Sequence, residues 1–182
     1  MARKKREREE IQMRNIVLVG MPGCGKSTIG VLAAKALTMD FVDTDLTLQK
    51  MGGKPLQQMV DELGTAGFSR AEEECICSLH FENTVIATGG SVALEKGAME
   101  HLRRDGYVVF IHLSYETIEQ RLSNIKTRGI AMEKGQTLRD LYNLRQPYYF
   151  GCADAILEAD GLNIEETVAK LADIVRSSAF EP

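Results

Sequence analysis

The sequence predicts an α/β fold: a parallel sheet with helices on both faces. Two observations carry that expectation. Short apolar runs alternate with segments of helical spacing along the chain, which implies parallel strands joined through helices. Three of the five runs end in glycine or acidic residues, at the strand edge where such sheets gather ligands. A third observation sets the scale. Internal repeats and Pro/Ser-rich linkers are absent, so residues 14–182 read as a single domain behind a charged extension over 1–13.

The elements follow in order. Residues 15–20 (NIVLVG) form an apolar run closed by glycine, as a buried strand does. Residues 26–37 place Ile29, Leu32, Ala33 and Ala36 at helical spacing. A second short strand, 40–45 (DFVDTD), carries acids at its end. Helices are expected over 55–63 and 65–80, parted by Gly64. The third strand, 84–90 (TVIATGG), runs into glycines, and a helix over 94–104 leads to the fourth strand, 107–113 (YVVFIHL). Helix 117–123 precedes a polar stretch, 124–136, with two glycines and no clear period, as expected of a lid. Helix 137–149, strand 154–159 (DAILEA) and an amphipathic helix over 164–175 complete the chain.

Composition excludes several function classes. At 182 residues the chain is long enough for one real core. Apolar residues at 44 % and charged residues at 26 % fit a soluble globular protein. A formal net charge of −4 argues against nucleic-acid binding driven by bulk positive charge. No apolar run approaches the roughly 20 residues that span a bilayer. The opening MARKKREREE has five basic and three acidic residues and no apolar stretch, so it reads as a solvated extension rather than a secretory or transit signal. Contact of that extension with anionic lipid or RNA is the minority reading. Cys24, Cys75, Cys77 and Cys152 lack redox-pair or zinc spacing and read as reduced thiols. The expectation is a cytoplasmic protein, monomeric or weakly dimeric, with a small-molecule partner, no nucleic acid and no membrane.

The sharpest motif is GMPGCGKST, 20–28, which matches the phosphate-binding P-loop pattern after a predicted strand and before a predicted helix. Gly23, Cys24 and Gly25 let backbone N–H groups turn towards phosphates, and the helix N-terminus adds positive potential. Lys26 would reach the β- and γ-phosphates and Ser27 would ligate Mg²⁺, with Thr28 completing the nucleotide-binding set. Cys24 is either a target for thiol-directed inactivation or a small loop residue without chemistry. A guanine-reading tetrad is missing, since NIKT at 124–127 has neither its pattern nor its strand. The strand-end acid of a motor ATPase is missing too. The acids stand instead at Asp43 and Asp45. As alternate strand residues they would share a face, one holding Mg²⁺ and the other holding an acceptor hydroxyl and taking its proton. A plain acidic turn is the competing reading.

GMPGCGKST, FVDTD, TGG and the late Arg145-Gln146-Pro147-Tyr148-Tyr149 recur in this order in shikimate kinases, and the chain resembles that family from about 15 to about 160. The resemblance implies a P-loop kinase of three layers, α/β/α, with a five-stranded parallel sheet in the order 2-3-1-4-5. It implies a substrate-binding region over about 45–80 and a mobile lid over about 124–136. It also implies ATP and Mg²⁺ as cofactors and transfer to a hydroxyl of a small carboxylated metabolite, shikimate first, a step of aromatic amino acid biosynthesis. By resemblance Asp43 is the Mg²⁺-side acid, Asp45 holds the substrate's hydroxyls, and Gly89 and Gly90 contact substrate through their backbone. Arg128 is the lid arginine, Arg121 stacks on adenine and Arg145 grips the substrate carboxylate. Lys26, Asp45 and Arg128 form the catalytic set. The residues alone leave competitors standing: a solvated loop charge for Arg128, a helix-surface charge for Arg145, and a salt bridge with Glu116 or Glu119 for Arg121.

Three departures from the family pattern matter, two beside the acceptor and one in the lid. The family's Phe-Arg-x-x-Glu is here Phe68-Ser69-Arg70-Ala71-Glu72, so a serine stands where a second arginine would meet the carboxylate. Arg70 is next door and is expected either to reach in on its long stem or to face elsewhere, since one residue is about 100° of helix. A triple glycine is Gly89-Gly90-Ser91, which adds a hydroxyl beside the substrate. The lid arginine is followed by Gly129-Ile130 rather than Pro-Leu, which loosens the lid. Arg70 or Lys54 is a candidate replacement donor. A kinase for another hydroxy acid, sugar acid or polyol (gluconate kinase-like) is the alternative within the class. A nucleotide-binding regulatory module without turnover is the alternative outside it.

Overall fold

The computed structural model describes residues 14–123, 130, 132–133 and 135–178. The extension expected over 1–13 and most of the expected lid, including Arg128, lie outside them. Asn15–Val19 (β1) pairs in parallel with Thr84–Ala87 (β3) on one side and Gly106–His112 (β4) on the other. Asp40–Asp43 (β2) joins outside β3, and Ala155–Glu158 (β5) outside β4. The sheet order is therefore β2-β3-β1-β4-β5, as the resemblance implied. Every residue of β1 and β3 is buried, because central parallel strands are covered on both faces. That is why NIVLV and TVIA are unbroken apolar runs and not alternating ones.

Connection direction explains the layers. From β1 the chain passes through Lys26–Leu37 (α1) towards the β2 edge. Every later crossover runs the other way, through Leu56–Cys77 (α3), Lys96–Arg104 (α4) and Leu138–Cys152 (α6). Right-handed crossovers of opposite direction put their helices on opposite faces. Accordingly α1 packs with the closing helix Ile164–Ser178 (α7), while α3, α4 and α6 meet around the 3-10 turn Val92–Leu94. The reversal between β1 and β3 opens a crevice at the C-terminal strand ends. Tyr115–Ser123 (α5) follows β4 beside it.

The structure corrects three local expectations. The second strand stops at Asp43, and Thr44–Gly52 forms a further helix (α2). Asp43 Oδ1 accepts from the N–H groups of Asp45 (3.0 Å) and Leu46 (3.3 Å), so it is the N-cap of that helix. Asp43 and Asp45 are thus a cap and a first-turn residue, not alternate positions of a strand. In α1 the bounds are as expected but the buried face is not. Ile29, Gly30, Ala33 and Ala34 face inward, whereas Leu32 is 41 % exposed. The two helices expected around Gly64 run as α3 with a break at that glycine, whose φ of 68° and ψ of 174° suit glycine alone.

The main core lies on the sheet, with Phe110 and Tyr149 stacked at 5.1 Å. A smaller cluster of Leu48, Met59, Val60, Phe68 and Cys75 joins α2 to α3. Burying a side chain the size of Phe68 contributes about 2–3 kcal/mol, so the α2–α3 wall of the crevice has hydrophobic support of its own.

Candidate active site

The crevice encloses about 310 Å³. Gly23, Gly25, Lys26 and Ser27 line it from the loop after β1, and Asp43 and Asp45 from the start of α2. Phe68 and Glu72 come from α3, Gly90 and Ser91 from the turn after β3, and Arg145 from α6.

The loop after β1 takes its shape from glycine. Gly23 and Gly25 have φ of +82° and +104°, a left-handed backbone that L side chains resist. Lys26 Nζ donates to the carbonyls of Gly20 (2.7 Å) and Met21 (3.0 Å), which offsets the burial of its ammonium inside the loop. Ser27, in the first turn of α1, lines the crevice, whereas Thr28 is not part of its lining. Cys24 turns its thiol inward, 1 % exposed and 3.7 Å from Lys26 Nζ. Its N–H closes the loop's own turn on Met21 O at 3.1 Å. Cys24 therefore helps shape the loop through both its buried thiol and its N–H.

Arg121 Nη1 donates to Cys24 O at 3.2 Å, so α5 leans on the loop. The competing surface pairs are not formed. Glu116 engages Arg139 at 3.3 Å, and Glu119 accepts from Tyr115 Oη at 2.5 Å. The placement leaves a guanidinium at the rim of the phosphate cradle, where a nucleotide base can be met.

The donor set suits Mg²⁺. Ser27 and Asp43 offer a hydroxyl and a carboxylate to the same crevice, and Mg²⁺ takes one or two such oxygens and fills its sphere with water and phosphate. Among the described residues no group of three His, Cys, Asp or Glu is placed to hold a metal by itself.

The glycine turn after β3 is held on three sides. Gly89 N–H donates to Thr44 Oγ1 (3.2 Å), Tyr149 Oη donates to Gly90 O (2.6 Å), and Thr88 Oγ1 donates to Leu18 O (2.8 Å). Neighbours approach closely: a Cβ at Gly89 would collide with Glu72 Oε1 and lie 2.9 Å from Asp45 Oδ1. At Gly90 it would lie 2.9 Å from Arg145 Nη1. Glu72 accepts from Ser91 Oγ. Burial pushes the Glu72 carboxyl from 4.5 up to about 7, against the pull of the Ser91 hydrogen bond, with the Asp45 charge adding to the rise and Arg145 opposing it.

Arg145 is 4 % exposed and reaches this turn, so it is not a helix-surface charge. Arg70 does not join it. Arg70 is exposed on α3 and absent from the crevice lining, because its helix position is rotated by about 100° from Ser69. Lys54 is also engaged elsewhere, paired with Glu62 at 2.5 Å. Among the described residues the far end of the crevice thus holds one guanidinium, Arg145, and two carboxyl groups. Ile130 lines the crevice two residues after Arg128, which lies outside the described residues.

Sequence reasoning missed Glu72, Thr44 and Tyr149 as parts of the site. Glu72 closes the Phe-x-x-x-Glu spacing and Tyr149 closes Arg-x-Pro-x-Tyr, so both stood in quoted motifs without a role. Thr44 carries no signal of its own.

Comparison with known proteins points to one family. The shikimate kinase family model matches residues 22–176. A shikimate kinase of Pseudomonas paraeruginosa is 38 % identical over 151 residues, 81 % of this chain and 88 % of that protein. The shikimate kinase of Pasteurella multocida is 34 % identical over 168 residues, 90 % of this chain and 96 % of its own. A structure of shikimate kinase from Acinetobacter baumannii in complex with shikimate aligns with a TM-score of 0.83 at 28 % identity, covering 93 % of this chain and 96 % of the other. Sheet order, ordered motifs and matches along most of the chain converge: this chain belongs to the shikimate kinase family.

Proposed function

We propose that the protein transfers the γ-phosphoryl group of ATP to a hydroxyl of shikimate. The observation that carries the reading is that one crevice joins a P-loop with Lys26 inside it to Asp45 and Arg145. Phosphoryl transfer asks little covalent chemistry of a protein and much positioning and charge stabilisation. Lys26 supports the charge on the transferring oxygens. Asp45 holds the acceptor hydroxyl and takes its proton, and Arg145 grips the acceptor carboxylate through its planar fork. Gly89 and Gly90 let the backbone approach the acceptor, and Arg121 meets the adenine. Ser27 and Asp43 would hold Mg²⁺, which when bound neutralises charge between the β- and γ-phosphates. Arg128, which lies outside the described residues, is assigned by this reading to the transferring phosphates.

A second acceptor reading has one observation behind it. Ser69, the exposed Arg70 and the paired Lys54 leave Arg145 to hold the carboxylate, so a different hydroxy acid or sugar acid is the competing acceptor. A coupled assay of ADP release with shikimate, quinate, gluconate and simple polyols decides. Release with shikimate is expected. Release with another acceptor and none with shikimate sinks the substrate and keeps the kinase. Tight ATP binding without release on any acceptor replaces the enzyme by a nucleotide-binding regulatory module.

No helix among the described residues is long and apolar enough to cross a membrane. A cytoplasmic location is supported separately by the four unpaired cysteines.

A further inference from the structure

One buried carboxyl group of the crevice has no part in the transfer just described. Glu72 is 3 % exposed. Its Oε2 accepts from Ser91 Oγ, and its Oε1 stands against Gly89 beside Asp45 Oδ1. Charged and titratable groups face it from the surrounding elements. Asp45 approaches from α2, Arg145 from α6, Glu95 from beyond the 3-10 turn, and Cys75 from one turn along α3. Lys26 lines the same crevice from α1. Ser69, one turn before Glu72 on the same helix, brings no charge. Among the described residues, the acceptor end therefore changes from neutral to negative with the proton on Glu72.

We propose that Glu72 is a specificity-determining residue of the acceptor pocket: with Ser69 in place of a second cation, the charge on Glu72 sets how tightly an acceptor carboxylate is held. A protonated Glu72 adds no negative charge beside Arg145. An ionised Glu72 competes for the same guanidinium and repels the incoming carboxylate in a weakly screened site. The change falls near neutrality, because burial raises the Glu72 carboxyl to about 7. No histidine or cysteine is among the described residues lining the crevice, so no side chain that ordinarily titrates near pH 7 competes there. The inference rests on the acceptor pocket assigned above and not on turnover.

Equilibrium binding tests it, by calorimetry on the full chain without nucleotide from pH 6 to 8.5. Shikimate stays ionised throughout, so its own carboxyl does not contribute. The Kd for shikimate is expected to rise roughly tenfold across the range in the wild type. It should stay flat in Glu72→Gln, near the acidic wild-type value. Ser91→Ala removes the hydrogen bond that favours the charged form, and should move the rise to higher pH. The carboxamide analogue of shikimate should show no slope with any variant. Equal slopes in the wild type and Glu72→Gln overturn the proposal, as does a flat wild-type profile in an enzyme that turns shikimate over. If shikimate fails to bind but quinate or gluconate binds with the Glu72-dependent slope, the shikimate assignment falls and the role of Glu72 stands.

Discussion

Replacing Glu72 by glutamine should stabilise the protein at and above neutral pH and leave it unchanged in acid. The native carboxyl holds its proton up to about pH 7, against an ordinary 4.5 in the unfolded chain. Between those values the native state binds a proton that the unfolded state has released, so stability falls as pH rises. The contribution is fully present below pH 4.5 and is lost on passing through about 7. At ~1.4 kcal/mol per pH unit over this window, the loss is about 3 kcal/mol. Glutamine keeps the shape of the protonated acid and its acceptor for Ser91 Oγ, yet never ionises. The variant-minus-wild-type stability should therefore be near zero at pH 4.5 and rise to about 3 kcal/mol by pH 7.5, a melting difference of roughly 6–12 °C for a chain of this size. Urea unfolding at half-unit pH steps measures it, with the difference curve cancelling every other titrating group. Parallel curves for the two proteins would refute the picture of Glu72 as a buried acid that keeps its proton to neutrality.

Ser69→Arg should restore a cation one turn from Glu72 and lower the KM for carboxylate acceptors about 10- to 100-fold, from a charged hydrogen bond of ~1.5–3 kcal/mol, while the KM for ATP stays put. Steady-state kinetics with shikimate and its carboxamide check this, since only the acid should respond. Tyr149→Phe removes the donor to Gly90 O and should cost about 1–2 kcal/mol in urea unfolding, with a several-fold rise in acceptor KM and an unchanged nucleotide Kd. Gly89→Ala drives a methyl into Glu72 Oε1 and against Asp45 Oδ1, so acceptor KM should rise at least tenfold while fluorescent-nucleotide binding is preserved.

The donor half of the site was legible in the sequence because its chemistry is local. A P-loop is one contiguous stretch whose function is carried by backbone and a single lysine, and spacing alone specifies it. The bounds of α1 and the break at Gly64 followed from equally local signals, whereas β3 stops at Ala87, before the glycines at which it was expected to end. What failed depended on tertiary context. Helix α2 hid because Leu46 and Met51 stay 54 % and 60 % exposed, so no apolar stripe marks it. The buried face of α1 holds Ala34 and not Leu32 because the helix is covered by both α7 and the sheet, contacts that the sequence alone does not specify. Arg70 was a candidate donor on chemistry alone, and helix rotation placed it in solvent.

The departures at Ser69 and Ser91 look independent in the sequence, yet the fold brings both to one group. Ser69 stands one turn from Glu72 along α3, and Ser91 donates to its carboxyl from across the crevice. A buried carboxylate needs either a cation or hydrogen-bond donors, and without them it keeps its proton. At 69 the chain has no cation to offer, and at 91 it offers a neutral hydroxyl. The Ser91 hydroxyl favours the ionised form of Glu72 through one neutral hydrogen bond, which does not outweigh burial. A guanidinium would serve only the ionised form. The two serines together therefore leave Glu72 able to change charge near neutrality, where an arginine at 69 would fix it. This predicts that Ser69→Arg, besides tightening the acceptor, pulls the Glu72 carboxyl back towards the ordinary carboxylate range. Titration of the Glu72 side chain by NMR in both proteins measures that shift, and an unmoved midpoint would separate the two serines again.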